Sequence, residues 1–336
     1  MDLTAFLPLL LPLGAAAGAW PLATRLPPKL ATWLLTSAAV ALAALSTAIL
    51  GILVVTAALR LPFIASIGHL SPAVIRREDP ASLSAALVAA ALLAVATLAA
   101  ARAGWRRART LVAAARQARC LPGTEQVVVI PDGAADAYTV PGWPGRIVVT
   151  EGMLAALAPA ERQVLLAHEQ AHADGQHYLF TALSHFAAAA NPLLRPVAAA
   201  VSYTVERWAD ETAAGRCGDR RLAARAVGKA ALASSGRDSA SRDGASRGGA
   251  SRRAAVLTGI AGPVLAPVRR LGRPRTPGPV PRRVAALLAP APSARPLLIA
   301  AAAVVVLVSG VAVLDAAYDL HALVELAQAP AFLTHS

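Results

Sequence analysis

Cysteine, lysine, methionine and charge are all scarce in this 336-residue chain. Its two cysteines, Cys120 and Cys217, form no metal-spaced pair and no disulfide framework, so both read as reduced thiols. Lys29 and Lys229 are the only lysines, and the net charge of +13 is therefore carried by arginine. That bias, with the abundance of alanine, suggests a GC-rich bacterial genome. Charged residues are 15% of the chain and hydrophobic ones 56%, too little charge for a soluble domain of this length. Membrane segments are expected instead. The basic stretches lack aromatic interleaving and any accompanying binding fold, so direct nucleic-acid binding is not expected.

Four apolar runs are long enough to span the roughly 30 Å hydrocarbon core. The first, residues 3–23, carries Pro8, Pro12 and Pro21, which neighbouring helices can tolerate. A cleaved signal peptide is the competing reading, but Asp2 stands where a basic residue should precede the run. Residues 30–59 and 81–101 are the second and third runs, and 297–314 the fourth. Arg102, Arg106, Arg107, Arg109, Arg116 and Arg119 follow the third without an intervening acid, which puts that side in the cytoplasm. The N-terminus and the 60–80 loop then fall outside, as does a short tail over 315–336.

Between the third and fourth runs the texture is that of a soluble α+β domain, over 103–232. Residues 126–130 and 146–150 read as short strands separated by Pro/Gly turns. One edge of that pair could accept an extended peptide. Residues 179–203 are apolar but broken by His185, Asn191-Pro192 and Arg195-Pro196, which predicts a buried or membrane-grazing hairpin. From 233 to 296 the Ser/Gly/Arg and then Pro/Arg composition predicts a basic disordered linker, able to touch anionic headgroups.

The chemistry sits in Leu165-Leu166-Ala167-His168-Glu169-Gln170-Ala171-His172, an H-E-x-x-H run with no Gly or Pro from Ala160 to Asp174. On a helix the two histidines lie at i and i+4 on one face, about 6 Å apart at Cβ. That suits two nitrogens converging on one Zn²⁺, with Glu169 about 100° around the helix and near a bound water. Two helix histidines without a metal are the plainer alternative. A catalytic zinc takes three protein ligands and water, so a third ligand is needed. His177 is one residue short of the metzincin position, which is Tyr178, and Met1 and Met153 are the only methionines, so no Met-turn is available. Glu206, followed by Asp210, is the other candidate.

Here the chain resembles the gluzincins, in which H-E-x-x-H is followed by E-x-x-x-D. The order of an approach strand, Thr150-Glu151-Gly152, the H-E-x-x-H helix, Asn191-Pro192 and Glu206…Asp210 is similar to the BlaR/MecR-like membrane zinc metallopeptidases. It is more distantly similar to HtpX-like membrane proteases. The resemblance implies a mainly α, multi-span membrane protein with a cytoplasmic α+β zinc metallopeptidase domain. It implies one Zn²⁺ held by His168, His172 and Glu206, with Asp210 behind a ligand histidine and Glu169 as general base. Tyr203 and the nearby histidines are candidates for stabilising the oxyanion. The implied substrate is a protein, either a cytoplasmic repressor or signalling partner, or membrane proteins undergoing quality control. A non-proteolytic scaffold with a structural zinc is the alternative from another class. Receptors of the BlaR/MecR type carry a large external penicillin-binding domain after the last span. None follows residue 314 in this sequence, so β-lactam sensing by this chain alone is not expected.

Overall fold

The computed structural model describes residues 7–59, 83–121, 125–142, 145–243, 278–291 and 295–328, with Gly123 and Ser293 besides. Helices dominate: α1 (Leu7–Arg25), α2 (Pro28–Ala58) and α3 (Leu83–Cys120) precede β1 (Val127–Ile130), β2 (Ala137–Val140) and β3 (Arg146–Thr150). There follow α4 (Glu151–Ala156), α5 (Pro159–Asp174), α6 (His177–Ala190) and, after a 3₁₀ turn over Pro192–Leu194, α7 (Arg195–Cys217). The described chain closes with α8 (Arg220–Asp243), α9 (Pro279–Leu288) and α10 (Pro296–Gln328).

Among the described residues three helices are long and apolar enough to cross a membrane: 28–58, 84–120 and 296–322. Leu87, Leu92, Val95 and Leu98 on α3, and Leu307, Val311 and Leu314 on α10, point outward, as lipid-facing side chains do. Four spans were expected. α1, which covers the first of them, is not among the three, and its Ala19, Leu22 and Ala23, with Leu26 just after it, are buried in one core with residues of α2, α6 and α7. Pro12 leaves the Pro8 carbonyl without a helical donor, and the Ser46 hydroxyl of α2 lies 2.8 Å from it. Asn191 Nδ2 in turn donates to Ser46 at 3.1 Å, tying the α6–α7 bend into the same point. Residues 179–203 thus form a bent helical pair whose Phe180, Ala187, Val197 and Val201 share the core of α1 and α2.

The helix that carries the third apolar run does not stop at residue 101. No proline interrupts it and arginine is a good helix former, so α3 runs on through the arginine-rich stretch to Cys120. Arg146 on β3 collects the carbonyls of Ala118 and Leu121 at 3.1 Å and Gly123 at 3.0 Å, which fixes that end of α3 to the sheet. The last helix likewise continues past residue 314 to Gln328.

The sheet has three strands in the order β1-β3-β2, with β1 parallel and β2 antiparallel to β3. Sequence reading anticipates β1 and β3 but not β2, whose Ala-Tyr-Thr-Val lacks a clear alternation. Ile147 and Val149 of β3 pack on Met153, Leu157 and Leu165, giving α4 and α5 a common floor. Val164 on α5 faces a second cluster with Ala213, Ala223, Ala226 and Leu287, where α7, α8 and α9 meet. Residues 279–288 were expected in a disordered linker, and residues 233–243 as well. The first segment is α9, started by Pro279 at its first turn, and the second extends α8. Residues 244–277 of that expected linker lie outside the described residues.

α5 starts on Pro159, with Glu161 accepting from the Ala158 N–H at 2.9 Å. This is the reciprocal half of a capping box, since Ala158 has no side-chain acceptor. Lys229 Nζ on α8 approaches the same carboxylate at 2.7 Å, and these bonds, Lys229's first, hold Glu161 below the ordinary carboxylate range. A depressed carboxyl stabilises the fold above its unfolded pKa of about 4.3 and loses that contribution as pH falls through its lower folded value. Glu161→Gln should therefore lower the thermal midpoint at neutral pH. The gap to wild type should close as pH falls through the lowered folded-state pKa of Glu161.

Candidate metal centre

His168 and His172 project from the face of α5 that packs on α7, and α7 returns Glu206 and Asp210 from successive turns. One ligand atom from each of His168, His172 and Glu206 lies within 4.8 Å of the others. The two Nε2 atoms stand 3.1 Å apart, and the Glu206 carboxylate oxygens are 3.8 Å from His168 Nε2 and 3.7 Å from His172 Nε2. Two nitrogens sharing a tetrahedral zinc at 2.0–2.1 Å are about 3.3 Å apart. Two imidazole lone pairs aimed at one point, beside a carboxylate, are the donor set a Zn²⁺ ion takes, so the residues present fit the metal. His177 is not in this group, in agreement with its rejection on spacing.

Behind each histidine stands a second group. His168 Nδ1 lies 3.1 Å from Asp210 Oδ1, an electrostatic contact rather than a well-aligned hydrogen bond. His172 Nδ1 lies 3.0 Å from His177 Nδ1. Burial and then the neighbouring His172 pull His177 down to about 3, so its ring is neutral and its Nδ1 can accept from His172 Nδ1–H. That leaves His172 Nε2 free to donate its lone pair forward. His177 is held by the Trp208 ring, 4.4 Å between centroids, and by a tight connection between α5 and α6. Gln176 there is left-handed at φ 46°, and a Cβ on Gly175 would sit 2.4 Å from His177 Nε2.

The largest addition to the site comes from α9. Arg283 grips Asp210 with two parallel bonds, Nε to Oδ2 at 2.7 Å and Nη2 to Oδ1 at 2.6 Å, and its Nη1 reaches Glu206 Oε2 at 2.8 Å. Despite burial, this pairing and the electrostatic contact with His168 hold Asp210 far below the ordinary carboxylate range, and Glu206 and Asp210 hold Arg283 well above its own. A linker composition hides this residue. The readable signal was Pro279 followed by Val280, Val284 and Leu287 at helical spacing.

Glu169 lies beside the ligands without belonging to them. It is buried, and that burial raises its carboxyl above the ordinary range against the opposing pull of His168 and Thr139. Thr139 on β2 lies 2.8 Å from Oε2, so the unanticipated strand is the one that orients this carboxylate. Tyr203 packs on Trp20 in the α1–α7 core, 4.9 Å between rings, and is not among the side chains lining the cleft at the site. His185 is on the far part of α6, 3.5 Å from Ser202.

Residues 100–190 match the model of a family described as Peptidase family M48, which is 91 of the 336 residues. No curated protein and no solved structure matches the chain. The match supports the HtpX-like side of the resemblance, that of membrane zinc metallopeptidases of the HtpX/Ste24 kind, rather than BlaR/MecR specificity. It covers the H-E-x-x-H helix and ends before Glu206, Asp210 and Arg283, whose convergence is a finding of the fold.

Two outcomes follow from these contacts. Gly175→Ala should displace His177 and cost about 1–3 kcal/mol by overpacking, seen as a lower midpoint in chemical denaturation. Arg283→Met should cost about 3–5 kcal/mol because Asp210 stays buried without its partner. Measuring the same variant with Asp210→Asn should recover part of that loss.

Proposed function

We propose that this chain is a multi-pass membrane zinc endopeptidase of the M48 kind, which cuts protein substrates at the cytoplasmic face of a bacterial plasma membrane. The observation that carries the reading is the convergence of His168, His172 and Glu206 on one point with a buried, non-ligating Glu169 beside it. When bound, zinc lowers the pKa of a coordinated water to about 7 and polarises the scissile carbonyl. Glu169 then takes the proton of the attacking water and returns it to the leaving amine. Burial raises the proton affinity of this carboxyl above that of an exposed one, which favours taking up the water's proton. Thr139 fixes Oε2 and leaves the other oxygen for the proton.

Asp210 and His177 set the direction of the two ligand imidazoles, and Arg283 holds Glu206 and Asp210 in register across α7. β2 lies at the sheet edge next to α5, where an extended peptide can add as a further strand and bring its carbonyl to the site. The run of arginines on α3 supports a cytoplasmic catalytic domain. Of the two substrate roles, the M48 match favours turnover of membrane proteins over cleavage of a dedicated repressor or signalling partner. The intact Glu169 speaks against a purely structural zinc in a scaffold, which has no use for a free buried carboxylate at that place.

The purified chain in detergent should bind one zinc and hydrolyse casein or itself. Glu169→Gln should keep the zinc and lose about 10²–10⁴-fold in rate, the range for a general base. Glu206→Ala should lose zinc affinity as well. A wild-type protein without stoichiometric zinc overturns the proposal, and unchanged cleavage by Glu169→Gln removes Glu169 from the chemistry.

A further inference from the structure

The bend between α6 and α7 lies far along the apolar bundle. Thr204 of α7 meets Thr32 of α2, and Asn191 at the bend meets Ser46, fourteen residues and about 21 Å further along α2. Both contacts fall within a helix apolar enough to cross a membrane. Against α3, Phe186 packs beside Gly104, just past the end of the apolar run at residue 101. Seven more residues carry the chain from Phe186 to Leu193, about 10 Å at helical rise. No N–H at the bend needs water. Pro192 and Pro196 have none, and those of Asn191, Leu193, Leu194 and Arg195 meet the Ala187 carbonyl, Asn191 Oδ1, the Asn191 carbonyl and the Pro192 carbonyl. An unmet polar group in hydrocarbon costs several kcal/mol, so a turn there must meet its donors within the protein, as this one does.

The outer surface of the pair is apolar as well. α6 contains no Asp, Glu, Lys or Arg, and its His185 turns to Ser202 on the other arm. Phe180, Ala187, Leu194 and Val197 fill the core, while Leu183, Phe186 and Leu193 are exposed on the other side. A helix apolar on all sides is buried or in lipid, and none of the described residues buries this face. We infer that the α6–α7 hairpin is a re-entrant element that dips about 10 Å into the hydrocarbon of the leaflet on the catalytic domain's side, with Leu183, Phe186 and Leu193 against acyl chains. Lipid is the occupant because this face adjoins α3 at Gly104, six residues from the outward-pointing Leu98 of the third apolar run. Arg195, exposed at the tip, limits the depth: a guanidinium is costly at the bilayer centre but snorkels to the headgroups from this level. α7 then carries Glu206 eleven residues beyond Arg195, so the hairpin fixes the height of the metal centre above the lipid. The inference needs α2 and α3 to cross a bilayer and goes beyond the proteolytic reading.

The test is spin-label depth measurement on the full chain, carrying Cys120→Ser and Cys217→Ala, in vesicles of phosphatidylcholine and phosphatidylglycerol. A nitroxide on Leu193→Cys should be relaxed more by oxygen, which partitions into acyl chains, than by a water-soluble nickel chelate. Its depth should read about 10 Å inside the hydrocarbon boundary. Ala199→Cys, exposed one turn up the α7 arm, should give the same order at a shallower level. Leu98→Cys on α3 should give the lipid order and Val129→Cys on β1 the reverse, both being exposed positions. Thermal midpoints check folding, and Ala199→Cys decides if Leu193→Cys does not fold. A Leu193→Cys nitroxide that favours the nickel chelate puts the hairpin in water and overturns the proposal. One shielded from both reagents is covered by protein, and one near the bilayer centre belongs to a full crossing; either overturns it too. Casein cleavage by the wild type is a separate measurement, so a failed hairpin and a failed protease are told apart.

Discussion

The site depends on compensating buried negative charge. Glu169, Glu206 and Asp210 converge within one small volume, and Asp210 is 2% exposed. Burying the Glu169 and Asp210 carboxylates without partners costs several kcal/mol, and the partly exposed Glu206 beside them adds mutual repulsion. Arg283 meets two of them, with its flat fork on Asp210 and its remaining nitrogen on Glu206, and a divalent cation between His168, His172 and Glu206 would meet the rest. Charge therefore locates α9 more than apolar area does, since Leu287 is its one buried residue. Arg220 closes the other end by donating to the carbonyls of Ala286, Leu287 and Ala289 at 3.0–3.1 Å while pairing with Glu211. Two arginines thus pin a ten-residue helix over the ligands.

The helix that supplies Glu206 and Asp210 also belongs to the apolar bundle. In α7, Thr204 meets Thr32 of α2 at 2.9 Å, and Arg207 donates to the Ala23 carbonyl of α1 at 2.8 Å. Trp208 lies under Lys29, 5.6 Å from the ring centroid, and packs on His177. Arg282, next to Arg283, stacks on Trp20 of α1 at 4.8 Å. Successive residues of α7 and α9 consequently face either the metal ligands or the N-terminal helices. The position of the site is set by the same packing that assembles α1, α2 and α6, so membrane helices and chemistry share one framework.

Periodicity and chain punctuation made part of this legible. The apolar run at 30–59 coincides with α2 to within two residues and that at 297–314 lies within α10, the expected strands at 126–130 and 146–150 coincide with β1 and β3 to within a residue, and the H-E-x-x-H run lies within α5. The apolar run at 81–101 lies mostly within α3, whose continuation through the arginine-rich stretch was not legible because composition marks the edge of an apolar run and not the end of a helix. β2 was missed because its residues gain strand character from pairing with β3, and the pattern of four residues is too short to declare it. Over residues 279–288 the proline and arginine content reads as linker, while the order of the residues is that of an amphipathic helix.

The sequence by itself determined the chemistry: two histidines one helical turn apart with a glutamate between them, and a Glu…Asp pair one turn apart further on. Those spacings are local, and a helix converts them into one face whatever the rest of the chain does. Only the tertiary structure decided which distant groups complete that face. Asp210 behind His168, His177 behind His172, Thr139 on Glu169 and Arg283 across both acids are contacts set by how α5, α6, α7, α9 and β2 pack. No spacing in the chain encodes them, because each depends on the relative placement of separate elements.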